Sequence, residues 1–466
     1  MGLLDTRIRS LDEDRRSTCG KKSCIKPACF PITIIMIFVI LIVMFPLVDW
    51  AELKEVSPKS CHDQCRLEVV ESIPEGLVYP SSYPVNPSTY HTWRKLLRTA
   101  CTNVKIASMY WTMLGKDVIP HRSARQGEKI FRMLKRLKNK KVNLQIVQNR
   151  GTQDDLELLK SKYADIRFTN FTKFFGTGIL HTKLWIVDDR HFYLGSANMD
   201  WRALTQVKEM GIAAWNCSCL TADLKAIFDV YWYLGDADSV PDPWPQIYQA
   251  LANKTVPGRV VSGNDVYNYY FGSAPPMLNG PKREDDISAL LDMISSAKQF
   301  VYIAVMDYLP IDHYYDRNTP KSYWPVLDDA MRSAAVRGVD VRLLHSNWNH
   351  TKNATYGYLY SLMALNASLK NGSITIRMFK VPAAGSQLKI PYSRVNHNKY
   401  VVTENAGYVG TSNWIGDYFT ATGGIGLVLK RANQTDTPKN IIDNLQHTFL
   451  RDWTSAYAYD VKPPCH

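Results

Sequence analysis

Hydrophobic and polar residues alternate in short blocks along the chain, and the blocks occur twice. Residues 92–111 (TWRKLLRTACTNVKIASMYW) predict an amphipathic helix and then a strand that ends in aromatic residues, and residues 289–308 (ALLDMISSAKQFVYIAVMDY) repeat this pattern. The matching strand blocks that follow are 140–147 with 337–344 and 165–168 with 375–378. Helices that alternate with short strands rich in Val and Ile predict α/β units whose mixed sheets are covered by helices.

The spacing between matching blocks only grows along the chain, as expected if one unit was duplicated and the second copy gained insertions. The main insertion, 345–372, is predicted to be a surface excursion. Residues 232–284 are rich in Pro and Gly, which places the domain boundary near 270–285. Two such lobes are expected to meet about a pseudo-two-fold axis, with a shared site at the seam between them.

An uncharged, strongly apolar stretch between Lys26 and Asp49 has the length of a bilayer span. Its N-terminal flank is basic, which predicts a cytosolic N-terminus and a lumenal remainder. The predicted segments are a cytosolic tail 1–26, a transmembrane signal-anchor 27–48, a lumenal stalk 49–60, a first lobe 61–275 and a second lobe 276–466.

The cysteines agree with a lumenal location. Six of the nine follow the apolar stretch, and an even set suits disulfides in an oxidising compartment. The pair 61/65 is predicted to cross-link with the pair 217/219, which leaves the remaining two, although six cysteines allow several connectivities and zinc binding is an alternative. The disulfide candidates are Cys61, Cys65, Cys101, Cys217, Cys219 and Cys465.

Sequons for N-glycosylation are confined to the predicted lumenal part, and four of the eight lie in the insertion. Asn216 lies between a strand and cysteines, so its use is open. The sequon residues are Asn170, Asn216, Asn253, Asn349, Asn353, Asn366, Asn371 and Asn433.

The net charge of the chain indicates what kind of partner it binds. The chain has 56 Lys and Arg residues against 43 Asp and Glu residues, a net charge of +13. Such an excess favours a polyanion, either nucleic acid or an anionic membrane surface. A basic surface without a functional role is the alternative.

The same short motif occurs in each half. His181-x-Lys183 and His397-x-Lys399 each begin a predicted β-hairpin, and residues two apart on a strand share a face. The return strands end in G-[ST]-x-N, so each half also presents a hydroxyl and a carboxamide. These groups are Ser196 and Asn198 in the first half and Thr411 and Asn413 in the second.

Two histidines, two lysines and two asparagines around a small anion suit a phosphodiester. One imidazole can form a covalent phosphohistidine while the other donates and accepts protons, and the lysines and asparagines neutralise the phosphoryl oxygens. No metal or other cofactor is predicted. A single histidine on a strand is more often a hydrogen-bonded core residue, but the duplicated motif favours catalysis.

Three carboxylates accompany the motifs. Asp188 and Glu404 start the hairpin turns and are predicted to stiffen them through nearby backbone N–H groups. Glu209 has no acidic equivalent, because Gly424 lies near that position of the second half. It is predicted either to orient one catalytic histidine or to form an ordinary surface ion pair.

The sequence H-x-K-x4-D-x6-G-S-x-N at 181–198, and its variant at 397–413 with Glu404, resembles the phospholipase D superfamily. The short basic tail, the stretch HTKLWIVDDRHFYLGSANMDWRALTQVKE and the motif NHNKYVVTE resemble its type II membrane-anchored endolysosomal branch. The resemblance implies a glycosylated enzyme of the ER, Golgi, endosome and lysosome that trims single-stranded DNA and RNA from the 5′ end at acid pH. It also implies that His181 is the nucleophile and His397 the general acid/base.

Two other functions are compatible with the sequence. A phospholipase or transphosphatidylase acting on phospholipid would use the same phosphohistidine, and a non-catalytic lumenal scaffold would keep the motifs for structure alone. Membrane attachment through the N-terminal helix is predicted. A homodimer and release of a soluble lysosomal form are left open.

Overall fold

The computed structural model describes residues 64–83, 85–116, 121–150, 155–160, 162–312, 322–432 and 440–461. All of them lie within one compact unit, Pro58–His466. The predicted tail, signal-anchor and stalk fall outside the described residues, as do Cys61, Cys465 and Asn433. Within the described ranges, no helix combines the length and apolar character needed to cross a membrane.

The first half of the described chain forms a seven-stranded sheet with a separate two-stranded pair. Its strands are β1 Arg66–Ser72, β2 Asn103–Ser108, β3 Trp111–Thr112, β4 Asn143–Asn149, β5 Asp165–Thr169, β6 Leu184–Val187, β7 His191–Gly195, β8 Met199–Asp200 and β9 Glu209–Trp215. The strand order is β1-β9-β7-β6-β2-β4-β5, and β3 pairs with β8. Strands β2, β4 and β5 are parallel to each other, whereas β6 is antiparallel to β2 and to β7.

Helices cover both faces of this sheet. They are α1 Thr89–Thr99, α2 Arg125–Arg136, α3 Phe171–Phe175, α4 Arg202–Thr205 and α5 Ser218–Leu234. Helix α1 begins where the Ser88 side chain accepts the backbone N–H of His91, a standard N-cap bond. Its buried side includes Trp93, which stacks on Trp185 of β6 at 4.9 Å between ring centroids. The pattern of 92–111 is thus a helix and a strand, as predicted.

The second half repeats the arrangement. Its strands are β10 Gly258–Ser262, β11 Asp265–Ala274, β12 Glu284–Asp285, β13 Phe300–Val305, β14 Tyr308–Leu309, β15 Asp340–Ser346, β16 Ser373–Phe379, β17 Lys399–Thr403, β18 Ala406–Gly410, β19 Trp414–Ile415, β20 Gly424–Arg431 and β21 Ala458–Asp460. The large sheet has the order β10-β11-β20-β18-β17-β13-β15-β16-β21, with β12 beside β11, and β14 pairs with β19. The six strands from β20 to β16 therefore follow the same order as the six from β9 to β5.

The helices of this half are α6 Asp286–Ser296, α7 Val326–Val336, α8 Asn353–Ala364, α9 Asp417–Thr420 and α10 Ile441–Thr454. Short 3-10 turns lie at 122–124, 138–140, 155–158, 246–248, 276–278, 365–368 and 385–389. The insertion 345–372 contains α8, so it is an ordered helical excursion. The mixed α/β fold that the sequence predicts is confirmed.

One hydrophobic core joins the two sheets. The rings of Phe192 on β7 and Phe271 on β11 meet there at 6.3 Å between centroids. Strands β10 and β11 belong to the second sheet although they precede residue 276. The division into lobes 61–275 and 276–466 as domains stays a prediction.

The cysteines follow the predicted pairing in part. Cys65 and Cys217 form a disulfide with a Cα–Cα distance of 4.7 Å, and Cys219 is also disulfide-bonded. Cys101 differs from the expectation for a disulfide candidate, because it is an exposed free thiol that donates to the carbonyl of Thr99.

The described sequon residues are at least partly accessible. Those of the insertion and Asn216 are exposed, whereas Asn170 and Asn253 are half-buried. The Asn253 and Asn366 amide nitrogens already donate to backbone carbonyls. Glycosylation of these sites stays a prediction.

Candidate active site

The two motif histidines lie in extended segments just before the hairpin strands that they were expected to join. Strand β6 begins at Leu184, after His181 and Lys183, and β17 begins at Lys399. The reason is a change of backbone partner. The histidine segments pair with the opposite half of the molecule before they enter their own sheets.

This pairing across the halves is symmetric. The His181 N–H donates to the carbonyl of Gly423 at 2.9 Å, and the His397 N–H donates to the carbonyl of Lys208 at 2.8 Å. Each segment that follows a G-[ST]-x-N motif therefore holds the histidine of the other half. The backbone itself brings both motifs to one place, as the predicted seam requires.

Both histidines line a single cavity of about 570 Å³ between the halves. Asn198, Asn413 and Glu209 line it as well. The predicted catalytic residues that do not line it are the two lysines, which lie immediately behind the histidines.

The lysines are buried under the histidine backbone. Lys183 Nζ donates to the carbonyl of His181 at 2.5 Å, and Lys399 Nζ donates to that of His397 at 2.7 Å. Burial lowers the pKa of Lys399 to about 7. Burial, together with the charge of Lys399, also lowers the pKa of Lys183. A bound anion would relieve this repulsion, so the cavity is suited to a phosphate group.

The return strands place their polar side chains in two layers. Asn413 Nδ2 donates to the hydroxyl of Tyr418 at 3.1 Å, and Asn198 faces the same cavity. Ser196 donates its hydroxyl to Glu209, whereas the Thr411 hydroxyl accepts the backbone N–H of Ile425 at 3.0 Å. The asparagines thus reach the cavity, and the hydroxyls support its walls.

Glu209 orients His397, which is the first of the two predicted roles. Its carboxylate lies 2.8 Å from His397 Nδ1, and the side chain is 1% exposed, so a surface ion pair is excluded. The backbone pairing makes Glu209 equivalent to Gly424, where a Cβ would collide with the Ser412 hydroxyl. Among the described residues, no carboxylate accordingly bonds to His181 Nδ1, and the ring hydrogen-bonds to the Thr411 backbone instead.

Burial governs the titration of the histidines. It lowers the pKa of His181 and of His397 well below the usual value, and the charges of Lys183 and Lys399 lower both further. Burial raises the pKa of Glu209 to about 8. Burial therefore opposes the charged form of both partners in the contact between Glu209 and His397.

The turn carboxylates bond backbone N–H groups, but not those of their own hairpins. Asp188 accepts the N–H groups of Cys101, Thr102 and Asn103 at 2.8, 2.7 and 3.0 Å, where β2 begins. In the second half, Glu404 accepts the N–H of Lys298 at 2.8 Å, just before β13. Each carboxylate therefore fastens its hairpin to the neighbouring strand of the sheet.

Several cavity residues were not identified from the sequence. Asp200 and Arg202 form a buried ion pair of 3.0 Å in the wall, and the Tyr110 hydroxyl donates to Asp200. The Tyr418 ring contacts that of His181 at 5.0 Å between centroids. The signal for the ion pair was the continuation of the first motif as Asn-Met-Asp-Trp-Arg, whereas no spacing rule brings Tyr110 or Tyr418 to the site.

Comparison with known proteins gives a consistent result. A family model described as "PLD3/4, PLD-like domain" matches residues 81–384. The chain is 44% identical over 405 residues to "5'-3' exonuclease PLD3" of Xenopus laevis, covering 85% of this chain and 81% of the relative. It is 39% identical over 422 residues to "5'-3' exonuclease PLD4" of Mus musculus, covering 89% and 83%.

Among solved structures, phosphatidylserine synthase of Haemophilus influenzae Rd KW20 superposes with a TM-score of 0.54 at 12% identity, covering 80% of this chain and 85% of that one. At this identity the likeness shows a shared fold alone. The family match and the identity to curated relatives have the greater weight, and they show that the chain belongs to the PLD3/4 family of the phospholipase D superfamily.

Proposed function

We propose that the protein is a phosphodiesterase that shortens single-stranded DNA and RNA from the 5′ end. The observation that carries the proposal is the cavity in which each half holds the catalytic histidine of the other. The names of the relatives supply the exonuclease activity and the direction of trimming, whereas single-stranded DNA and RNA as substrates are what the family resemblance implies.

In the proposed reaction His181 attacks phosphorus. A P–N bond forms while the bond from phosphorus to the leaving oxygen breaks, and His397 gives its proton to that oxygen. His397 then takes a proton from water, and the water oxygen attacks phosphorus and breaks the P–N bond. The assignment is supported by Glu209, because a carboxylate on Nδ1 fixes the tautomer of an imidazole that must hold and release a proton.

The lysines and asparagines act on charge. The ammonium groups of Lys183 and Lys399 are buried next to the histidines, where interactions with a phosphate are stronger than in water. Asn198 and Asn413 line the cavity and supply amide donors for the phosphoryl oxygens. We expect this set to work without a metal ion, so that activity survives EDTA.

We propose that the N-terminal apolar stretch anchors the enzyme in a membrane. A basic cytosolic tail, one membrane span and a glycosylated lumenal part suit a type II protein of the ER, Golgi, endosome and lysosome. The disulfide between Cys65 and Cys217 supports an oxidising compartment. Assembly as a homodimer and release from the anchor belong to the proposal as well.

The test uses the full chain in detergent with 5′-labelled and 3′-labelled single-stranded oligonucleotides at about pH 5. Stepwise loss from the 5′ end is expected, with a bell-shaped pH profile, because one imidazole must be neutral and the other protonated. His181→Ala and His397→Ala are expected to abolish it.

Phospholipid vesicles provide the second arm of the test. If the lipid headgroup is released while the oligonucleotide stays intact, the protein is a phospholipase or transphosphatidylase and the nuclease proposal fails. Loss of oligonucleotide cleavage in EDTA, with recovery on adding a divalent ion, would contradict the metal-free mechanism.

A further inference from the structure

Three aromatic rings form a ladder at the mouth of the cavity. Trp348 and Tyr392 line the cavity, and the His350 ring lies between them. The centroid of the His350 ring is 4.6 Å from that of Trp348 and 5.1 Å from that of Tyr392. The angle between the ring planes is 60° for Trp348 and His350 but only 11° for His350 and Tyr392. One face of Tyr392 is therefore covered by a parallel ring.

The outermost ring is exposed where folding alone does not require it. Tyr392 is 66% exposed and has a φ of 52°, a left-handed conformation that side chains other than glycine seldom adopt. A large aromatic residue held in this way near a cavity points to binding rather than to core packing. The ladder is asymmetric, because all three rings come from the second half of the chain.

The chemistry of the ladder defines its ligand. A flat ring with one free face binds another flat ring, and sequence-tolerant stacking on aromatic side chains is how proteins hold unpaired bases. Tyr392 lies five positions before His397 in the same segment, and both line the cavity. A ligand that reaches both must join a planar ring to a phosphodiester, as a nucleotide does and a diacyl lipid does not.

We propose that the free face of Tyr392 stacks a nucleobase adjacent to the phosphodiester held by the two histidines. The inference rests on the proposed nuclease function and deepens it, because it makes the ladder the feature that selects nucleic acid over phospholipid.

The test measures binding as well as turnover, so that the two proposals can fail separately. The full chain carrying His181→Ala is titrated into a fluorescent single-stranded oligonucleotide, and into the same strand with abasic residues at its 5′ end. Adding Tyr392→Ala is expected to raise Kd for the base-bearing strand by roughly 5- to 100-fold. Kd for the abasic strand is expected to stay unchanged, and Tyr392→Phe is expected to bind like the parent.

Two further variants isolate the ring. Tyr392→Gly removes it while easing the left-handed backbone, so it should weaken binding as much as the alanine variant does. Tyr323→Ala removes an equally exposed tyrosine, 66% accessible, that does not line the cavity, and it should have no effect.

The outcomes separate cleanly. An unchanged Kd for base-bearing strands in Tyr392→Ala would overturn the inference, and so would an equal loss on the abasic strand. In the enzyme that keeps His181, Tyr392→Ala should raise KM for the base-bearing strand and leave kcat nearly unchanged. If that enzyme leaves oligonucleotides intact, the nuclease proposal fails, whereas the binding result still decides the role of Tyr392.

Discussion

At the scale of single residues, the two halves differ in what touches each imidazole. His397 has a carboxylate on Nδ1, whereas the equivalent position beside His181 is a glycine, where a Cβ would collide with the Ser412 hydroxyl. A histidine that donates and accepts protons gains from a carboxylate that stabilises its charged form. A histidine that attacks phosphorus must be neutral, and burial with the charges of Lys183 and Lys399 holds the pKa of His181 low. The asymmetry therefore agrees with the proposed roles.

This difference gives a prediction for Glu209→Gln. The amide keeps the size of the side chain but cannot share the proton of His397, so kcat should fall by roughly 10²-fold or more. Without the carboxylate, His397 should release its proton at lower pH. The alkaline limb of the kcat profile should therefore move to lower pH, as measured with a labelled oligonucleotide.

The control for this variant is Glu157→Gln, which changes an exposed carboxylate, 59% accessible, that does not line the cavity. It should leave kcat and both limbs in place. An alkaline limb that stays at its wild-type pH in Glu209→Gln would show that this carboxylate does not act on the titrating group.

At the scale of elements, the sequence predicted the helices and strands but not the distant segments with which they pair. Periodicity located the helix and strand of 92–111 and both hairpins, because such patterns depend on local burial. It placed His181 and His397 within strands, whereas the strands begin a few residues later. Pairing between residues far apart in sequence decides this, and no local pattern encodes it. The sequence left two roles open for Glu209, because its contact with His397 depends on how the two halves pack together.

The turn carboxylates lead to a prediction for Asp188→Asn. Although burial by itself raises the pKa of Asp188, the N–H groups of residues 101–103 hold it below its usual value. The charged form is thus favoured by folding. The amide should lower the free energy of unfolding by roughly 1–2 kcal/mol at pH 7, as measured by denaturant titration.

The pH dependence of this stability difference follows from the linkage between protonation and folding. A group whose pKa is depressed in the folded state stabilises it above the unfolded value of about 4, and this contribution is lost as the pH falls through the folded value. The difference between wild type and Asp188→Asn should therefore shrink below about pH 4. Asp189→Asn is the matched control, because the neighbouring carboxylate pairs with Lys105 at 2.7 Å and is 42% exposed. A difference that persists at low pH would contradict the account.

At the scale of the whole molecule, a buried ion network joins the two halves behind the site. Arg451 of α10 donates to both oxygens of Glu71 on β1 at 2.7 and 2.6 Å. Asp452 beside it binds Lys208 Nζ at 2.7 Å, and the carbonyl of that lysine holds the His397 N–H. A helix from the end of the chain thereby supports the segment that positions a catalytic histidine.

Breaking this network from one side should be costly. Arg451→Met removes the two close hydrogen bonds to the buried Glu71 carboxylate and leaves it with Lys208 Nζ at 3.8 Å and the Asn86 amide, so we expect the free energy of unfolding to fall by about 3–5 kcal/mol. Adding Glu71→Gln removes the carboxylate charge that Arg451 no longer balances and should restore much of that loss, as shown by denaturant titration of both single variants and the pair. If the pair is as unstable as Arg451→Met, the cost lies in lost packing of the long side chain. If stability returns while kcat stays low, the network positions His397 in addition to holding the halves together.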